Sequence, residues 1–334
     1  MVTVYEEKDI DQSLIQSLKI AVIGYGSQGH AHALNLRDNG CDVVVALHGE
    51  SKSRAAAEGA GFQVLTVAEA TGHADVLMFC TPDVPMRQIY EMGVAPYLRE
   101  GQQILFAHGF NIHYGLIKPP AKVDVAMVAP NGAGHRLRAE FLGGGGLPCL
   151  VAVHQNTTGK ALQKALSYAW GIGCAKGGVL ESTFKEETET DLFGEQVVLC
   201  GGLSALIKAA FATLVEAGYH EEVAYLVCLH EIKFTLDLVH QGGLSYMRHS
   251  ISDTAEWGDY IAGPRVIAEE SREGMRGLLK DIQDGSFARD WIAEVEAGGP
   301  RLAEFRRAES GLAIEKVGKV MRARMPFIDP KTVD

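Results

Sequence analysis

The sequence predicts an α/β chain in which a doubly wound parallel sheet is followed by an all-helical domain, and three observations predict it. A short apolar run over residues 18–23 ends in Gly24-Tyr25-Gly26-Ser27-Gln28-Gly29 and continues into helix-forming residues. Short β-branched runs then alternate with helical segments up to residue 184. Beyond that point the long periodic stretches are helical and none reads as a strand.

The opening run is a strand, a tight turn and a helix N-terminus. Gly24 allows the turn, Gly26 lets the backbone approach a pyrophosphate, and Gly29 permits close helix–strand packing. Free N–H groups and the helix dipole then face the anion. A second apolar run, residues 42–47, follows at the distance a βαβ unit needs. The turn therefore reads as a Rossmann-type dinucleotide site that includes Tyr25, Ser27 and Gln28, the alternative being an ordinary glycine-rich turn. Runs at 74–80, 103–107, 123–129 and 147–153 continue the sheet, and a helix over 159–168 and a strand over 179–184 complete it. Residues 1–182 form the nucleotide domain and 183–334 the helical one. Helices are expected over 195–217, 221–240 and 264–284, with Pro264 in a first turn and Gly242-Gly243 as a helix stop.

A chain of 334 residues is long for a single core, so two domains are the default. Its net charge of −11 repels nucleic acid and anionic membranes at long range. The six cysteines show no C-x-x-C spacing, which suggests buried thiols in a reducing compartment. The acidic N-terminus lacks an apolar signal core and no later run looks long and apolar enough to span a bilayer, so a cytoplasmic protein with no membrane partner is expected.

The second strand ends at His48 with no acidic residue for a ribose 2′-hydroxyl, which favours NADPH over NADH. Ser51, Lys52, Ser53 and Arg54 could hold a 2′-phosphate, although Glu50 would repel it and a plain helix-capping loop is the alternative. Pro82 and Asp83 after the third strand, and Gly134 in the loop that begins Pro130-Asn131-Gly132, join the cofactor set. His108 follows a strand at the edge where ligands sit in such sheets, as a site residue or as a structural histidine. Asp191 and Glu195 are four apart on one helical face, with Glu231 on a later helix that could stand opposite. Carboxylates projecting from facing helices can hold Mg2+, and an acidic stretch can equally be a solvated face.

These pieces together resemble the short form of ketol-acid reductoisomerase over nearly the whole chain. The resemblance rests on the run from Gly24 to Ala33, on Ala107-His108-Gly109-Phe110-Asn111-Ile112-His113, and on the run from Phe184 to Gln196. Cys200-Gly201-Gly202, Cys228-Leu229-His230-Glu231, Ser250-Ile251-Ser252 and Thr254-Ala255-Glu256 extend it. It implies a knotted helical domain that dimerises with the active site between subunits, NADPH and two Mg2+ ions. It also implies alkyl migration on acetolactate-type substrates followed by hydride reduction to a dihydroxy acid. By this resemblance Asp191 bridges the metals, Glu195 binds the first and Glu231 the second. Ser252, with Ile251 and Ala255, meets the substrate, and His108 stands beside the nicotinamide.

Four positions depart from the family pattern, two of them at groups the resemblance places in the site. Asn131 stands where a lysine is usual and Val227 where a metal-binding glutamate is usual; Gln241 and Arg54 differ as well. The expectation is an NADPH-dependent oxidoreductase acting on a 2-keto acid or imine, as a homodimer or larger homo-oligomer. One Mg2+ site is intact and the second impaired. The alternatives are a complete reductoisomerase and a non-catalytic NADP-binding sensor.

Overall fold

A computed structural model describes residues 1–331. Nine strands form one sheet: β1 (Val4–Tyr5), β2 (Lys19–Ile23), β3 (Asp42–Ala46), β4 (Val64–Leu65), β5 (Val76–Phe79), β6 (Gln103–Phe106), β7 (Asp124–Pro130), β8 (Cys149–Gln155) and β9 (Val179–Glu181). Their order is β1-β9-β8-β7-β6-β5-β2-β3-β4. The six strands from β4 to β7 in that order are parallel, five of them at runs the alternation predicts and β4 in addition. Every residue of β5 and β6 is fully buried, and one apolar cluster lies on each face of the sheet.

The sheet as a whole is mixed. β8 runs antiparallel to β7, and β1 antiparallel to β9. At the first reversal the Asn131 N–H donates to the Pro148 carbonyl at 2.9 Å, and the chain leaves and re-enters the sheet at the same end. Strands β1 and β4 are two residues long, too short for a period-2 pattern to reveal.

Contacts divide the chain into Met1–Thr190 and Asp191–Asp334, a boundary inside the Phe184–Gly194 helix. The second unit is helical, with no strand among the described residues. Its small core joins Phe211, Ala224, Tyr225, Ile314 and Val317.

Three helical expectations change. The stretch 195–217 begins with a π turn, Glu195–Leu199, before the Gly201–Glu216 helix. The stretch 221–240 is broken by another, Leu226–His230, and its helix resumes as Ile232–His249, kinked where Gly243 takes φ 75° and ψ −177°. Pro264 sits in the last turn of the Asp253–Val266 helix, not in a first turn; the Ile267 N–H closes that turn on the Gly263 carbonyl at 2.9 Å.

The expectation about apolar runs is also corrected. The continuous helical stretch Phe184–Glu216 contains an 18-residue window of mean hydropathy 1.9, long and apolar enough to cross a membrane by composition alone. Reading it as an acidic segment followed by a separate apolar helix concealed its continuous length.

Candidate functional site

The glycine-rich turn joins β2 to the Ser27–Asp38 helix. Gly24 has φ 99°, and a Cβ there would stand 2.7 Å from the Cys80 carbonyl oxygen. A Cβ on Gly29 would lie 2.2 Å from the Gly24 carbonyl oxygen, whereas one on Gly26 would meet nothing within 4 Å. Gly24 and Gly29 are thus required by packing, and Gly26 faces open space at the helix N-terminus, where an anion fits. Gly134 has a packing reason of its own, since its Cβ would stand 1.9 Å from the Ser27 carbonyl oxygen. Gln28 Nε2 donates to the Gly132 carbonyl at 2.9 Å and binds the two loops together. The Tyr25 hydroxyl, Gln28 Oε1 and Thr81 Oγ1 are buried around this turn without hydrogen-bond partners.

Beyond β3, His48 and Lys52 are exposed and Ser51, Ser53 and Arg54 half-buried. The Ser53 N–H donates to Ser51 Oγ, and Arg54 pairs with Glu58 at 3.3 Å. Pro82 caps the Asp83–Ile89 helix. Burial holds the Asp83 carboxyl above its ordinary range, eased by nearby His108 and reinforced by Glu187.

His108 stands at the carboxyl end of β6, and its Nδ1 lies 2.8 Å from Glu187 Oε1. Glu187 Oε2 accepts from the Gly109 N–H at 2.8 Å and from the Thr188 hydroxyl at 3.3 Å. Gly109 is glycine because a Cβ there would stand 2.3 Å from Thr188 Oγ1. A second carboxylate repeats the pattern: Glu189 meets His113 Nε2 at 3.5 Å and Lys185 Nζ at 2.7 Å. Glu187 and Glu189 are only 3% and 6% exposed, so this acidic stretch turns two of its carboxylates inward, whereas Glu186, Asp191 and Glu195 are exposed. Burial lowers the His113 imidazole and pushes the Tyr114 hydroxyl up to about 12.

Sequence reasoning missed Glu187. It lies four residues before Asp191 on the same helix, which was the available clue. Glu187 fixes the His108 proton on Nδ1, as carboxylates behind ligating histidines do. Asp191 completes a three-residue group of cation donors with His108 and Glu187. Asp191 and Glu195 are exposed, and carboxylate oxygens of this kind suit a hard cation such as Mg2+.

The remaining expected residues lie outside that group. Glu195 opens one π turn, and Glu231 follows the other. Val227, within the second, is 48% exposed. Ser252 caps the Asp253–Val266 helix by accepting from the Ala255 N–H at 3.2 Å, with Ile251 half-buried just before it. The Asn131 side chain is exposed.

Residues 14–178 match the family model of the acetohydroxy acid isomeroreductase NADPH-binding domain, and residues 184–327 that of the ketol-acid reductoisomerase C-terminal domain. The chain is similar to an NADH-preferring ketol-acid reductoisomerase from an uncultured archean, at 42% identity and a TM-score of 0.94, covering 96% of this chain and 98% of that one. It is similar in fold alone to a semialdehyde dehydrogenase NAD-binding protein from Cupriavidus necator, at 18% identity and a TM-score of 0.60 over 80% of this chain and 99% of that one. A pyrroline carboxylate reductase from Plasmodium falciparum shares the fold at 15% identity and 0.52, over 81% and 98%.

Proposed function

Because the chain belongs to the ketol-acid reductoisomerase family and is an NAD(P)H-dependent oxidoreductase of that family, we propose that it keeps the hydride-transfer half of the reaction and has a weakened alkyl-migration half. Its substrate in this reading is a 2-keto acid or a related C=O or C=N compound. One contrast carries the reading. Glu187 is buried against His108 with Asp191 one turn on, whereas Asn131 and Val227 offer neither an ammonium nor a carboxylate.

Mg2+ held by Asp191 and Glu195 would polarise the substrate oxygen, and NAD(P)H would supply the hydride. Glu187 keeps a proton on His108 Nδ1 and so fixes the orientation of the imidazole beside the proposed site. Reduction needs a cofactor and one polarising group. Migration needs an alkoxide and a carbonyl held between two cations, and Val227 and Asn131 strip charge from that second demand alone.

The proposed donor is NADPH, on the absence of an acid at His48 and the presence of Ser51, Lys52 and Ser53. The proposed assembly is a homodimer or larger homo-oligomer in the cytoplasm. A second copy would cover the apolar helices and would bring Glu231, Ser252, Ile251 and Ala255 to the Asp191 site. Leu199, Leu206, Phe234 and Trp257 are all exposed in the single chain, which supports such a cover. A bilayer is a poor alternative, because the same helical stretch begins with the buried, ion-paired Glu187 and Glu189.

A complete reductoisomerase is the second reading, favoured by the 42% identity to a protein of that activity. Steady-state kinetics with acetolactate and with a simple 2-keto acid, each with NADPH and NADH, separate the two. We expect keto-acid reduction with NADPH preferred and poor turnover of acetolactate, which Val227→Glu combined with Asn131→Lys should raise well above either single change. Rapid acetolactate turnover by the unmodified protein, or no gain in the double variant, would establish the complete enzyme instead.

A further inference from the structure

Three wide helical turns, each closed by a bond from residue i to residue i+5, occur among the described residues. Tyr90–Val94 ends the Asp83–Ile89 helix and carries none of the proposed metal ligands. The other two each end on one. The Glu195 carbonyl accepts from the Cys200 N–H at 2.9 Å, and the Glu231 N–H donates to the Leu226 carbonyl at 3.0 Å. Such turns are rare in proteins and recur at functional sites.

The first of these two is enforced by sequence. A Cβ on Gly201 would stand 2.2 Å from the Gln196 carbonyl oxygen, and one on Gly202 would stand 1.8 Å from the Val197 carbonyl oxygen. Both obstacles are backbone atoms of the wide turn itself, so no side chain can yield to relieve the clash. Cys200, at φ −118° and ψ −66°, carries the distortion that the glycines permit. Downstream, Ile207, Phe211 and Leu214 pack into the small core of the same unit. A one-residue slip of an α-helix turns a side chain through about 100°, so the extra residue of the wide turn sets the direction in which Glu195 leaves the helix which that core anchors.

We propose that Gly201 and Gly202 are positioning residues which, by holding the Glu195–Leu199 stretch as a π turn, aim the Glu195 carboxylate at the cation shared with Asp191. The inference rests on the metal reading above. Calorimetric titration of Mg2+ into the NADPH-loaded protein tests it. Gly201→Ala and Gly202→Ala should each raise the Mg2+ Kd at least about tenfold, the size of effect typical of groups that orient metal ligands. The NADPH Kd and helical circular dichroism should stay unchanged. Gly274→Ala, whose Cβ would enter open space in the Glu269–Gln283 helix, should alter neither constant.

A lowered Tm with an unchanged Mg2+ Kd would make the glycines merely structural and overturn the inference. An unmodified protein that binds NADPH and no Mg2+ would overturn the metal reading and the inference with it. Hydrogen exchange on the unmodified protein does not depend on how the variants fold. Mg2+ should slow exchange of the Cys200 amide at least about fivefold, because ligation of Glu195 holds the turn closed. No slowing at that amide, with Mg2+ bound, would overturn the inference.

Discussion

Strand β5 and the Gly201–Glu216 helix are both strongly apolar, yet every residue of β5 is fully buried while the helix buries Phe211 alone. The same contrast separates the two units. In Met1–Thr190 each face of the sheet is covered by its own helices and large apolar clusters form. In Asp191–Asp334 the core is small, and Leu206, Phe234, Leu236 and Trp257 remain in solvent. Apolar burial is worth ~25 cal/mol per Å2, so the first unit has ample driving force within one chain and the second lacks it. A surface this apolar on a folded protein fits the proposed assembly. Nucleotide binding is therefore expected to belong to the first unit by itself, and the complete site to an assembly.

The largest effect expected comes from breaking that assembly. Leu206→Glu together with Phe234→Glu places charges at positions that are already exposed in one chain, 48% and 54%, so the monomer has no reason to suffer. Burying those charges in an interface costs several kcal/mol, and association should weaken by at least about 100-fold. Light scattering should report a smaller particle, and turnover should fall with it while NADPH binding persists. An unchanged mass would show that these helices are not what a second copy covers.

A smaller effect is expected inside the first unit, at Glu187. Its two oxygens accept from His108 Nδ1 and from the Gly109 N–H. In Glu187→Gln one amide oxygen cannot serve both, so either the Gly109 N–H loses its acceptor or the histidine faces an N–H and must change tautomer. Such support typically matters ~10–100-fold. We expect kcat to fall by about that factor with the NADPH KM unchanged, and the pH profile of kcat to shift. A variant with native kcat and profile would reduce Glu187 to a structural anchor.

How far the sequence foretells each region follows the same division. The glycine turn, the parallel strands β2, β3, β5, β6 and β7 and the helical character of the second unit are legible because each has a local cause, a glycine spacing or a period. The reversal at β8 is not, because it depends on where the 131–148 connection re-enters the sheet. The π turns escape a 3.6-residue period by construction; the clue was Gly201-Gly202, which an uninterrupted helix does not need. At the candidate site, the sequence offers Asp191 and His108 from their positions after an acidic helix turn and a strand end, and the structure brings the two together. Glu187 was hidden because nothing in a run of acids says which one turns inward, and that is decided by the distant Gly109 and His108.

The last difference between the regions is their response to acid. His32, in the helix that follows the glycine turn, is fully buried; its Nδ1 meets the Tyr168 hydroxyl at 3.0 Å and its Nε2 has no partner. Burial pushes its pKa down to about 3. The second unit holds no fully buried histidine among the described residues. Between about pH 3 and the unfolded value of about 6.5, the unfolded chain binds a proton at His32 that the folded chain refuses. Stability therefore rises with pH through that window and is lost on acidification below about 6.5, by ~1.4 kcal/mol per pH unit from this one group. His32→Gln keeps a partner for the Tyr168 hydroxyl and cannot titrate, so urea unfolding between about pH 4.5 and 6 should show a slope shallower by that amount. Parallel slopes for the two proteins would mean that His32 is protonated in the fold and that the first unit is no more sensitive to acid than the second.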